Sequence, residues 1–166
     1  MANLTSLLQT LQSHLALVNV RMNPPIDEVV IETFEKEWQL ELPADLRQFY
    51  QLSNGFGPDE KGEVFQLFSL EGSMAELQYH KNGKLGSRFV LAEYMLYCDW
   101  WEVELTPKAA NAYQIVNAGH RSGTPLVLTH SIEEFLGRYL AGGVFGKHGL
   151  CEWHEEIEQR GLHLTQ

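Results

Sequence analysis

Leu4, Leu7, Leu8, Leu11, Leu15 and Val18 recur at spacings of three and four, the period that lines one face of an α-helix. The pattern predicts an amphipathic helix over residues 3–20, with Asn3 able to cap its first turn. Such a leucine face has to be buried, either on this domain or on a partner. Asn23-Pro24-Pro25 closes the segment and opens the next, because proline suits a first helical turn and breaks a helix interior. From Ile26 to Leu40 the apolar stripe is Val30, Ile31, Phe34 and Trp38, with Asp27 and Glu28 at the end where the helix dipole favours anions. Pro43 opens a third helix that carries Leu46, Phe49 and Tyr50 on one side. Ser53-Asn54-Gly55-Phe56-Gly57 ends it, with Asn54 or Gly55 suited to a left-handed cap.

After Pro58 the period changes. Val64 to Leu70 reads as a buried strand bounded by charge and glycine. Glu71 to Leu85 fits a short helix near Met74–Leu77 and then a turn at Asn82-Gly83. Phe89 to Leu96 is a second apolar strand. Trp101, Val103 and Leu105 alternate with Trp100, Glu102 and Glu104, the period-two mark of a half-exposed strand. Tyr113–Val116 and Leu126–Leu128 are further short strands, with Gly119–Thr124 as the loop between them. Ser131-Ile132-Glu133-Glu134 has the form of a capping box. It opens a helix with Ile132, Phe135, Leu136, Tyr139 and Leu140 on one face, stopped by Gly142-Gly143. The tail from Gly146 to Gln166 is acidic and polar, with one helical stretch around Trp153–Gln159. Helices, then strands, then a helix predict an α+β domain with a mostly antiparallel or mixed sheet.

Composition sets the class. The chain has 166 residues, 44% of them hydrophobic, a length and a content that suit one globular domain over residues 1–166. Twelve basic and twenty-two acidic residues give a net charge of −10. Nucleic acid and anionic membranes would repel such a chain, whereas a basic protein surface would attract it. No apolar run approaches the ~20 residues of a membrane helix. The leucine-rich start lacks the basic region of a secretory leader. Cys98 and Cys151 lie far apart, so a reduced, cytoplasmic protein is expected.

Candidate chemistry is sparse. The chain has no Gly-x-Gly-x-x-Gly, phosphate loop or Gly-x-Ser-x-Gly elbow, so no catalytic set and no cofactor is expected. Cys151 and His154 have Cys-x-x-His spacing, and His148 lies three residues before the cysteine. A structural metal site needs four ligands and the second pair is missing, which predicts a buried cysteine beside surface histidines and no metal. Asp99, Glu102 and the His148–His154 segment are what an enzyme would have to use.

The acidic residues are concentrated. Asp27–Glu63 holds ten acids and three bases, and Glu93–Glu104 holds four acids and no base. If Trp101, Val103 and Leu105 face the core, Trp100, Glu102 and Glu104 share the other side. A tryptophan flanked by carboxylates is a residue mix found in binding hot spots, with charges that steer a basic partner. This makes Glu93, Asp99, Trp100, Glu102 and Glu104 the candidate partner-binding set. The alternative is that Trp100 packs under a helix or loop while the glutamates keep a sheet face soluble.

One stretch has a signature. Phe34-Glu35 ends a helix, Leu42-Pro43-Ala44-Asp45 opens the next, Phe49 follows on it, and Asn54-Gly55 forms the turn. This resembles the N-terminal signature of the SUKH superfamily, which includes the yeast cell-wall-assembly regulator and many small bacterial immunity proteins. Phe89–Met95 and the Ser131–Leu136 helix fit the family's mid-chain strand and closing helix, so the likeness spans about residues 26–141. The helix over 3–20 and the tail over 144–166 are extensions. Phe34 and Phe49 read as core anchors, Pro43 and Asp45 as helix openers, and Asn54-Gly55 as the turn into the sheet. These residues specify a scaffold rather than a site. The resemblance implies a non-enzymatic immunity protein that neutralises a toxin by binding it, with a regulatory or scaffolding module as the alternative. In that alternative the N-terminal leucine stripe or the tail would dock a partner that is not a toxin.

Overall fold

The computed structural model describes residues 4–18, 20–57, 64–81, 88–106, 112–119, 123 and 125–163. Three helices come first: α1 (Leu4–Leu17), α2 (Glu28–Trp38) and α3 (Ala44–Leu52). Then follow β1 (Phe65–Leu67), α4 (Leu70–Lys81), β2 (Arg88–Tyr94), β3 (Asp99–Leu105), β4 (Tyr113–Asn117) and β5 (Leu126–Thr129). Two helices close the chain, α5 (Ile132–Gly142) and α6 (Leu150–His163). The five strands pair antiparallel in sequence order. The architecture is α+β, as the element order predicts, and the sheet has no parallel pair among its five strands.

The leucine face of α1 is core. Leu4, Leu8, Leu11 and Leu15 are buried, and α1 packs against α5 and α3. Burial of each side chain contributes roughly 1.5–3 kcal/mol as an upper bound. This removes the stripe as a docking surface for a scaffolding partner. Asn3 lies outside the described residues, as does the Asn82-Gly83 turn. Most of the Gly119–Thr124 loop does too.

The tail differs most from expectation. α6 is a fourteen-residue helix rather than a short stretch, and its own Leu150, Cys151, Trp153 and His154 are buried. The Arg138 guanidinium of α5 lies 5.1 Å from the Trp153 ring centroid, and it pairs with Glu156 at 3.1 Å. Three apolar residues among the first four of α6, Leu150, Cys151 and Trp153, carry this docking, and they are diluted by the glutamates around them. α4 is also longer than predicted, and the strand predicted over Val64–Leu70 is the three-residue β1, with Leu70 opening α4.

An aromatic cluster joins the sheet to α5. Phe65 of β1 stacks on Tyr139 at 4.5 Å, and Trp101 of β3 meets Phe65 at 5.7 Å and Phe135 at 6.0 Å. Phe34 of α2 meets Phe89 of β2 edge-on at 6.0 Å. Such pairs add about 0.5–1.5 kcal/mol beyond their buried area.

The signature residues tie elements together. Glu35 accepts the Leu42 N–H at 2.8 Å and pairs with Arg47 through its other oxygen. Pro43 occupies the cap of α3. Asp45 accepts the Leu46 N–H at 2.9 Å and the Tyr113 hydroxyl at 2.5 Å, while the Tyr113 oxygen accepts the Ile132 N–H at 2.7 Å. One hydroxyl thus links α3, β4 and the start of α5. Burial, then the Asp45 carboxylate, pushes the Tyr113 hydroxyl well above the usual phenol range. Asn54 accepts the Leu70 N–H at 2.9 Å and donates to Glu71 at 2.9 Å, so it caps α4. Gly55 holds φ 76°, and a Cβ there would lie 2.3 Å from the Leu67 carbonyl oxygen. α3 itself ends at an extended Ser53, so Gly55 serves the following turn rather than the helix cap. The Ser131 capping box is half formed. Its hydroxyl accepts the Glu134 N–H at 3.3 Å, but the Glu134 carboxylate takes the Thr129 hydroxyl at 2.5 Å instead of reaching back.

Candidate functional site

β3 alternates as predicted at its centre. Trp101 and Val103 are fully buried, and Trp100, Glu102 and Glu104 lie partly exposed on the other face. Register places Arg88 of β2 and Gln114 of β4 on either side of Glu104. Arg88 Nε lies 3.0 Å from Glu104, and its Nη1 lies 3.9 Å from Glu102. Gln114 donates to Glu104 at 2.5 Å. The two glutamates therefore have a cation of the same chain beside them, in a partly exposed pairing that contributes about 1 kcal/mol or less. Trp100 is half-buried. Its indole covers Gly119 so closely that a Cβ there would lie 1.8 Å from the ring, and Tyr97 meets it edge-on at 6.0 Å.

The other two members of the predicted set sit inside. Glu93 and Asp99 are buried, so neither carboxylate is presented to an incoming partner. Register pairs Glu93 with Trp100 of the partly exposed face. Its carboxylate is nevertheless enclosed, because it accepts from Gln66 Nε2 and from the Tyr97 N–H, each at 2.8 Å. The second of these bonds fixes the turn between β2 and β3.

Hydrophobic patterning does not mark that turn. The apolar run Phe89–Leu96 reads as one strand, but β2 stops at Tyr94. Met95, Leu96 and Tyr97 then follow in left-handed conformation, with φ 48°, 53° and 66°. The Cys98 N–H closes the turn on the Tyr94 carbonyl at 3.0 Å. The Tyr97 hydroxyl donates to Glu76 of α4. Burial first, and Glu76 second, hold that hydroxyl above the usual phenol range. Leu96 is 90% exposed and Met95 49%. Val64 (45%) lies beside Met95, whose N–H donates to its carbonyl at 3.2 Å, and Phe145 (61%) packs edge-on against Tyr94 at 4.8 Å. The available signal was a missing one. Between two strands, the residues Met95-Leu96-Tyr97-Cys98 supply no glycine, asparagine or proline for a hairpin.

Among the described residues, two of the clefts lie elsewhere. One of about 250 Å³ runs between α1 and Met22–Pro25. The other, an apolar groove of about 220 Å³, is lined by Val29, Val30, Thr33, Phe34, Leu70 and Glu71. Cys151 is buried as expected, but His154 is buried too and is not a surface histidine. Exposed His148 instead faces along α6. Among the described residues, donors of His148, Glu152 and Glu156 lie within 4.8 Å of one another. Glu152 accepts the His148 N–H, and Glu156 pairs with Arg138 at 3.1 Å and Arg160 at 4.0 Å. Those two guanidinium groups oppose a metal cation. Among the described residues, no helix is long and apolar enough to cross a membrane.

The comparison with known families identifies the scaffold. The chain belongs to the SMI1/KNR4 family (SUKH-1), whose model matches residues 25–138. The match runs from just before α2 into α5 and leaves α1 and α6 outside it. No curated protein matches the chain.

Proposed function

We propose that this SUKH-1 protein is an immunity protein that binds a cognate bacterial toxin and neutralises it by occlusion, without turnover. The family match carries the reading, since its members include proteins of that kind and its span holds the whole sheet. The net charge of −10 supports a basic target such as a nuclease, whose phosphate-binding surface an acidic inhibitor complements. The same charge opposes nucleic acid or an anionic membrane as the ligand. The work would be done in the cytoplasm, by one domain, with no cofactor.

Trp100, Glu102 and Glu104 are the partly exposed members of the predicted set and form the steering face in this reading. Glu93 acts from inside, holding the Tyr97 N–H of the β2–β3 turn, and Asp99 is buried. Co-expression with the toxin encoded by the adjacent gene is the test, and rescue of growth is the expected result. An adjacent gene that encodes no toxin, together with protection against none, overturns the reading. Within a complex, E102K/E104K should slow association and flatten its salt dependence, each charge contributing about 1 kcal/mol or less. Equal on-rates would remove this face from the encounter.

A further inference from the structure

We infer that the β2–β3 turn is the anchor of the partner interface, with Leu96 entering an apolar pocket on a protein whose pocket rim is lysine- and arginine-rich. The inference rests on the toxin-binding reading and names the surface that reading needs. Two independent observations converge on the turn. The first is exposure. Leu96 stands 90% in solvent beside Met95 at 49%, and the Met95 N–H donates to the carbonyl of Val64, itself 45% exposed, so the turn carries more than a lone surface leucine. The second is backbone conformation. Three successive non-glycine residues hold positive φ, a state that side chains with a Cβ disfavour and that persists only where surrounding structure imposes it.

The surroundings do impose it. Glu93 holds the Tyr97 N–H from inside, Tyr97 is tied to Glu76, and the Cys98 N–H closes the turn. A buried carboxylate is thus committed to keeping an exposed leucine in place. Preorganisation of this kind lowers the ordering cost of binding. The chemistry of the occupant follows from the charges next to the patch. Tyr97 is tied to Glu76 and meets Trp100, whose indole N–H reaches Glu102 at 3.4 Å, in a chain of net charge −10. An apolar knob bordered by carboxylates complements an apolar pocket bordered by cations.

The test titrates the purified toxin of the adjacent gene against the full chain, L96D, L96G and L17D. Leu17 is 83% exposed on α1, outside the family segment, and serves as the control. The expected result is binding weaker by about 30-fold or more for L96D, as for a hot-spot residue, and binding within about twofold of wild type for L17D. L96G removes the same side chain and suits a left-handed turn. It should lose binding while its thermal midpoint stays level or rises, so lost affinity is not mistaken for unfolding. Wild-type affinity in L96D and L96G overturns the anchor and leaves the immunity reading standing. Equal losses in L96 variants and L17D also overturn it. A wild-type chain that does not bind the toxin overturns the immunity reading, and the anchor with it.

Discussion

Two of the turns that hold left-handed backbone in this molecule meet that demand differently. After α3 the chain turns with Gly55 at φ 76°, and the Phe56 and Leu67 amides and carbonyls then pair across the turn at 2.9 and 2.7 Å. Glycine is required there twice over, by φ and by the Leu67 oxygen that a Cβ would meet at 2.3 Å. Between β2 and β3 the chain uses Met95, Leu96 and Tyr97 instead. A left-handed residue with a Cβ costs roughly 1–2 kcal/mol, so this turn is held at a stability cost that glycine would lower. Gly55 lies where the fold alone sets the residue. At Leu96 the side chain is kept although the fold gains almost nothing from it.

The sharpest break in that comparison is Gly55→Ala. The left-handed backbone and the approach to a carbonyl oxygen act together, and backbone oxygen cannot rotate aside. Stability should fall by about 3 kcal/mol, read as a lower denaturant midpoint with an unchanged slope. A loss below about 1 kcal/mol would mean that the turn can relax. Next in size is Glu93→Gln, which keeps shape and removes the charge. Two N–H donors converge on this carboxylate, from Gln66 and Tyr97, and an amide can accept from only one of them without presenting its own N–H to the other. About 1–3 kcal/mol should be lost, and hydrogen exchange should quicken at Tyr97 before it does in β3. Unchanged exchange at Tyr97 would sever the link between the buried carboxylate and the turn.

Much of the scaffold was legible because its signals are local. The spacing of Leu4, Leu8, Leu11 and Leu15 fixes a helix face, and the order of the segments fixes the class. The signature residues could be read as structural from type alone, but their partners could not. That Asp45 meets Tyr113, sixty-eight positions away, is a fact of packing. The candidate site was legible only in part for the same reason. Alternation correctly separates Trp101 and Val103 from Trp100, Glu102 and Glu104. It is blind to Arg88 lying beside those glutamates, and to the enclosure of Glu93 and Asp99. Hydrophobicity misleads at Met95-Leu96, because an apolar run predicts burial and carries no information on a backbone held left-handed by contacts from Glu93 and α4. The tail errs in the opposite direction. Its glutamates mask Leu150, Cys151 and Trp153, which dock as one ridge.

The smallest effect is also the most discriminating between the two turns. Leu96→Gly places at the exposed turn the residue that the buried turn already has. Leu96 is 90% exposed, so its removal forfeits little apolar burial. Glycine relieves the left-handed strain at φ 53° but gains extra freedom in the unfolded chain, and the two terms oppose each other. The net change should be a gain between zero and about 1 kcal/mol, measured as a thermal midpoint equal to or a few degrees above wild type. A clear loss of stability would show that Leu96 packs on something that matters to the fold, and the turn would then be structural like its counterpart at Gly55. A gain in stability joined to a loss of toxin binding is the signature of a residue kept for contact at the expense of the fold. Only an interface role for Leu96 predicts both shifts from one substitution.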